Sequence, residues 1–171
     1  AEEPFPQDPV RQLSEVLRSM ARAWEGTTAR LLRQAKGAPV DAGLGLVVQE
    51  MVLGLGLGEC GSGVFQLADS DSGHRQITGR YRSQSQGREA VERRSGSLFL
   101  QRDPRGPSLE DQAPEAFAQL IAHAETMRHR LREEMQIEFT IEDGKLFILD
   151  GIRAPRGPRA AVRMAVRLAE D

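Results

Sequence analysis

Only one cysteine, Cys60, occurs in the 171 residues of the chain. A single thiol excludes an intrachain disulfide and any multi-cysteine metal site, and it is compatible with a reducing cytosol, so a cytoplasmic location is expected. Charge of one sign is also lacking. The 23 basic and 25 acidic side chains leave a formal net charge of −2, with a pI near 6.0. That balance gives no reason to expect nucleic acid or an acidic membrane surface as a partner. No apolar run can span a bilayer, because the longest, LGLVVQEMVLGLGLG, is short and broken by Gln49 and Glu50. There is no visible signal peptide and no internal repeat. The chain opens at Ala1 without methionine, as expected of a piece of a longer protein.

What is present is an ordinary globular composition, 39% hydrophobic and 28% charged, in a length that suits one domain with appended helices. Residues 1–40 read as a helical segment. Asp8-Pro9 supplies an N-cap and a first-turn proline, and Val10, Leu13, Val16, Leu17, Met20 and Trp24 follow at helical spacing until Gly26. A second helix is expected from Thr28 to Lys36, closed by Gly37. Residues 41–157 read as an α+β unit, an antiparallel or mixed sheet flanked by helices. In it LGLVVQEMV (44–52) predicts a buried strand, GLGLGECGSG (54–63) a glycine-rich loop, and VFQLAD and HRQITGRY two strands joined around Ser70–Gly73. A short LFL strand lies within a polar connection over 83–110. Pro114 opens a helix through about Glu134, its apolar face carrying Phe117, Leu120, Ile121, Ala124, Met127 and Leu131. Residues 158–171 predict a last helix packed on this unit, with Val162, Ala165, Val166 and Ala169 as its apolar side.

QIEFTIEDGKLFILDGIR (136–153) reads as a hairpin with two carboxylates, Glu138 and Asp150, inside otherwise apolar strands. A two-residue Asp143-Gly144 loop would put Glu138, Thr140, Glu142, Phe147 and Leu149 on one face, a mixture no core accepts. A three-residue loop, Glu142-Asp143-Gly144, pairs Ile141 with Lys145, Phe139 with Phe147 and Ile137 with Leu149, which gives an apolar core face. The opposite face then holds Gln136, Glu138, Thr140, Leu146, Ile148, Asp150 and Ile152. Asp150 falls opposite Gln136 and diagonal to Glu138, about 5–8 Å away. Two carboxylates at that separation suit either a solvated sheet face or a shared hard cation, and spacing alone leaves both open.

The stretch MQIEFTIEDGKLFIL, followed by AAVRMAVRLAE, resembles the end of the ATP-grasp nucleotide-binding domain of the pyruvate phosphate dikinase family. FPQDPVRQLSEVLRSMARAWEGTTAR, VVQEMVLGLGL, CGSGV, SDSG and SQGREAV resemble further motifs of that domain in the same order. The resemblance implies the second ATP-grasp subdomain, with ATP and Mg²⁺ as cofactors. It assigns Gln49, Glu50, Met51 and Val52 to the adenine, Glu138 to the Mg²⁺-coordinating carboxylate, and Asp150 to the position of a family glutamine on the same site. It also implies partners that this chain lacks: the first ATP-grasp subdomain and a phosphohistidine domain whose histidine receives the phosphoryl group. The phosphoryl group then passes to pyruvate on a separate barrel.

The chain departs from the family at functional positions. Gln136 replaces an aspartate, Ile152 an arginine with Arg153 one residue late, Ala68-Asp69-Ser70 an Arg-Asn-Pro, and Arg88 an acid. None of His74, His123 and His129 sits in a phosphocarrier motif, and Cys60 has no activating neighbour in the sequence. The glycine-rich loop could cradle phosphate, although it lacks the Lys-Ser/Thr ending of a P-loop. The arginines at 88, 93 and 94 and at 153, 156 and 159 suit surface charge or contacts with the missing subdomain. Three functions therefore compete: an Mg-ATP-binding piece of a phosphotransferase, a degenerate nucleotide-binding or regulatory module, and a protein-interaction domain. The isolated chain is expected to fold and to lack turnover.

Overall fold

The computed structural model describes residues 6–39, 41–86 and 96–170, in a chain that divides into two compact units, Ala1–Glu50 and Met51–Asp171. The first unit holds helices α1 (Pro9–Glu25) and α2 (Thr27–Ala35). The Asp8 carboxylate accepts from the Arg11 N–H at 2.9 Å, and Pro9 fills the first turn, where its missing N–H costs nothing. The left-handed Gly37 follows α2, at φ 75°. The Arg33 guanidinium lies 3.8 Å over the Trp24 ring and donates to the Trp24 carbonyl, which joins the two helices. Neither helix buries a residue, and the apolar stripe of α1 at Leu13, Val16 and Leu17 is exposed.

The second unit is a four-stranded antiparallel sheet in the order β2-β1-β3-β4 with its two middle helices packed on one face, so the protein is α+β with a helical segment ahead of the strands. Its elements are β1 (Gly61–Ala68), β2 (Arg75–Ser83), α3 (Leu109–Gln112), α4 (Pro114–Leu131), β3 (Met135–Glu142), β4 (Lys145–Arg153) and α5 (Pro158–Glu170). Phe65, Tyr81, Ile137, Phe139 and Ile141 point from the sheet into the core, where Leu109, Phe117, Leu120 and Ala124 meet them. Tyr81 and Phe139 stand on strands that do not touch, both paired to Gly63 of the strand between. Their rings nonetheless stack, with centroids 5.9 Å apart and planes 8° from parallel. A Cβ on Gly63 would come within 2.7 Å of the Phe139 ring and 2.5 Å of the Arg80 carbonyl, so only glycine allows the stack. The Tyr81 hydroxyl donates to Glu59 at 2.6 Å, and burial together with that carboxylate pushes its pKa well up.

Between α4 and β3 a short turn, opened by Arg132 in the left-handed region at φ 52°, presents two carboxylates to four arginines. Glu134, 1% exposed, bonds Arg128 of α4 at 2.9 Å and Arg167 of α5. Glu133 bonds Arg153 of β4 at 2.8 Å and Arg156 at 2.5 Å. Of the arginines expected to be surface charge or contacts with a missing subdomain, Arg156 is half-buried on Glu133, while Arg153 is exposed and bonds the same carboxylate. Those at 88, 93 and 94 lie outside the described residues.

Four expectations are corrected. Residues 44–52 form no strand: Val47 is 81% exposed and Met51 73%, because no sheet edge among the described residues pairs with them, and β-propensity without a partner strand leaves the backbone in water. The LFL segment makes only isolated bridges, Tyr81 to Leu98 and Phe99 to Ser108. α5 buries Ala160 and Met164 against Ala68, while Val162 and Val166 face solvent, because α5 rests on the end of β1 through small residues. The hairpin turn is the two-residue Asp143-Gly144, with φ of 49° and 78°, values that the primed turn requires. A bulge after Glu138, which leaves Leu149 as the extra residue, removes the objection to it. Leu146 and Ile148 thus face the core, and Gly151 does so on the far side of the bulge.

Replacing Gly63 with Val should lower unfolding stability by about 2–3 kcal/mol through overpacking against Phe139, with an unchanged urea m-value. Arg156, by its hydrogen bond and charge, holds the Glu133 carboxyl below the ordinary glutamate value of 4.5. A lowered folded-state pKa gives stability that is fully present above 4.5 and is lost as pH falls through the lowered value. Glu133→Gln should therefore lose less stability than the unaltered chain between about pH 6 and pH 3, as read from urea midpoints.

Candidate functional site

Because side chains alternate along a strand, the face of the sheet turned away from the core is set by the register. One cross-strand row runs Arg80, Val64, Glu138, Asp150. The next runs Thr78, Gln66, Gln136, Ile152, and on the other side lie Arg82, Ser62, Thr140, Phe147. The bulge brings Glu138 and Asp150 directly opposite one another rather than diagonal, so their Cβ atoms lie about 4.5–5.5 Å apart. Glu138 is half-buried and has no hydrogen bond or ion pair with a described residue, while Asp150 is exposed and accepts from the Gly151 N–H at 2.7 Å.

Both ends of this face are closed. At one end the Ser62 and Thr140 hydroxyls lie 3.0 Å apart, and Ser62 donates to the Ser85 carbonyl. At the other, the Gln136 amide donates to Gln66 at 3.2 Å, and Gln66 donates to Ala68 O at 2.7 Å and to Ser70 Oγ at 2.9 Å. Asp69 stabilises the turn there: its carboxylate accepts from the Ser72 hydroxyl and N–H, which lowers its pKa. The carboxylate row lies between these closures. Two carboxylates facing one another without a cationic partner fit a hard divalent cation that takes its remaining ligands from phosphate and water. No group of three or more metal-ligating side chains occurs among the described residues, which limits the protein's share to this pair.

Gln136 and Ile152 are also direct cross-strand partners. The two positions where the resemblance expects an acid and an arginine thus face each other, and both are neutral, so neither leaves a charge uncompensated. Arg153 turns to the opposite face and bonds Glu133. Beside Val52, the Leu53 N–H donates to Glu142 of the hairpin at 3.3 Å, and the Gln86 amide donates to Val52 O at 3.4 Å. Gln49 and Glu50 end the other compact unit and are exposed.

The glycine-rich loop is engaged with protein groups. Gly56 N–H donates to Gln84 at 3.3 Å and Gly58 N–H to Asp143 Oδ1 at 3.2 Å. Gly144 N–H donates to Glu59 O at 2.8 Å, and the buried Cys60 thiol contacts Asp143 Oδ1 at 3.6 Å. The loop therefore wraps the hairpin turn, and those two amides do not cradle phosphate. His123 and His129 lie exposed on α4, and His74 lies exposed before β2. Sequence reasoning passed over Arg80, although the alternation in RQITGRYR places Thr78, Arg80 and Arg82 together.

No family model matches the chain. Among curated proteins it is 30% identical to pyruvate, phosphate dikinase of Rhizobium meliloti (strain 1021) over 174 residues, which cover 98% of this chain and 19% of that protein. It is 30% identical to the Clostridium symbiosum pyruvate, phosphate dikinase over 170 residues, 99% of the chain and 19% of the relative. The Zea mays pyruvate, phosphate dikinase 2 is 27% identical over 99% of the chain and 18% of its own length. The chain thus spans about a fifth of the relatives it matches, and it is pyruvate, phosphate dikinase-like over nearly its whole length.

Asp143→Ala should release the glycine-rich loop from the turn. Amide exchange at Gly58 should accelerate by about tenfold or more, while amides of β1 and β3 keep their protection.

Proposed function

We propose that this chain is the second subdomain of an ATP-grasp nucleotide site in a pyruvate, phosphate dikinase-like phosphotransferase, and that the open sheet face holds Mg-ATP for phosphoryl transfer to a histidine on another domain. The observation that carries the reading is the direct pairing of Glu138 with Asp150 on that face. The collinear similarity to one segment of several dikinases supports it. Mg²⁺, when bound, neutralises charge on the polyphosphate, and Glu138 and Asp150 are the residues that would hold it. Glu138 is the stronger ligand, since no described residue competes for it, whereas Asp150 also accepts from the Gly151 N–H. Gln49, Glu50, Met51 and Val52 take the adenine: backbone groups of the extended segment read its edge and the exposed Met51 packs on its face. The remaining partners of the reaction, the first ATP-grasp subdomain and the phosphohistidine domain, would come from outside this segment.

Calorimetry with Mg-ATP on the full 171-residue chain tests this. Binding should be weak and Mg²⁺-dependent, without turnover in the presence of pyruvate. Glu138→Ala should weaken it by about tenfold, and Asp150→Ala by less. Isotherms that are identical for the unaltered chain and Glu138→Ala would remove the carboxylate pair from the site.

A further inference from the structure

Beside the carboxylate row, an open groove of about 640 Å³ runs between the outer face of β1 and β2 and the segment around 97–105. Apolar residues such as Val64, Ile77 and Phe99 line part of it, and its polar lining is amide, hydroxyl and guanidinium, with Gln66, Gln136, Ser97 and the arginines Arg80, Arg102 and Arg105. Two of these arginines are already satisfied. Arg102 bonds Asp111 at 2.8 Å, and Arg105 grips both oxygens of Asp103, at 2.8 and 2.6 Å, while lying over the Phe99 ring. Arg80 is different. Among the described residues it forms no hydrogen bond or ion pair, and its Nε is buried with no partner at all. A buried guanidinium N–H without an acceptor is uncommon in a folded protein and calls for one from outside the chain. Among the described residues, the one carboxylate lining the groove, Asp103, is held by Arg105 and is not free to serve.

We infer that this groove is an anion site for a phosphoryl group, with Arg80 as its charged contact and the neighbouring amides as additional donors. A guanidinium offers a planar fork that matches two phosphate oxygens, and Gln66 and Gln136 line the same wall. Arg80 stands in the same cross-strand row as Glu138, two strands away, so its backbone lies about 10 Å from that carboxylate. At that distance an anion on Arg80 is separate from a cation on the carboxylates, yet one polyphosphate can reach both. Arg80 thereby restores, from the opposite edge of the sheet, a positive charge that Ile152 does not provide. The inference does not require that the sheet face hold a nucleotide.

The test is a titration of the full chain with inorganic phosphate, without Mg²⁺ or nucleotide, read by the Arg80 Nε–Hε resonance and by calorimetry. Saturable binding that shifts this resonance is expected, and Arg80→Gln should weaken it by about tenfold. Arg80→Lys, which keeps the charge without the fork, should fall between the two. Competition by inorganic tripolyphosphate would identify a polyphosphate tail as the occupant, and phosphate binding undisturbed by it would identify free phosphate. Either result keeps Arg80 as the contact. An Arg80→Gln protein with the native melting temperature and the same phosphate affinity would overturn the proposal, as would an Arg80 resonance indifferent to phosphate. Because Mg²⁺ and nucleotide are left out, failure here would not bear on the Glu138 site.

Discussion

The Tyr81–Phe139 stack across Gly63 is the constraint on which the rest of the second unit depends. Two aromatic rings from non-adjacent strands can meet at 5.9 Å only if the strand between them carries no side chain at that point. The contact therefore fixes the registers of β1 against β2 and of β1 against β3 together. Once Tyr81, Gly63 and Phe139 form one core-facing row, the next row, Arg80, Val64, Glu138, must face the other way. The outward chemistry of the sheet is thus a consequence of its inward packing.

A bulge and a clamp complete that arrangement. The extra residue in β4 lets a two-residue turn coexist with an apolar inner face, and it advances Asp150 to the position opposite Glu138. At the other end of β3, Glu133 and Glu134 gather arginines from α4, β4, α5 and the β4–α5 connection into one ion-paired cluster. Removing Glu134 would take an ion-pair partner from the buried Arg128 and the half-buried Arg167, and removing Glu133 would take one from the half-buried Arg156, which is why such clusters are costly to break. These ionic groups hold the scaffold, whereas Glu138, Asp150 and Arg80 have no counter-charge bonded to them among the described residues. That division separates charge that stabilises the fold from charge available to a ligand.

Similarity to the dikinases and the geometry of the sheet meet at four positions. Glu138 and Asp150 pair, and Gln136 and Ile152 pair beside them. Where the resemblance expects an aspartate and an arginine, this chain pairs two neutral residues, so the face lacks charge of both signs there. Positive charge stands elsewhere on the face, at Arg80 in the same cross-strand row as Glu138.

Periodicity and local chemistry determined the parts that depend on neighbours in sequence. α1 with its Asp8 cap, α2, α4 from Pro114, α5 from Pro158, and the β1–β2 and β3–β4 hairpins were all legible, because caps, prolines and apolar spacing act over a few residues. The shared face of Glu138 and Asp150 was legible too, though by way of the wrong turn: strand alternation carries parity, and the bulge restores the same parity beyond Leu149. Only the tertiary structure decided the rest. The Val-rich 44–52 segment has no partner strand among the described residues, and α5 buries Met164 rather than Val162 because Ala68 is what it meets. The engagement of Arg153 and Arg156 by Glu133, and the free guanidinium of Arg80, depend on contacts between residues far apart in the chain. Such pairings are decided by packing in three dimensions, and no local pattern encodes them.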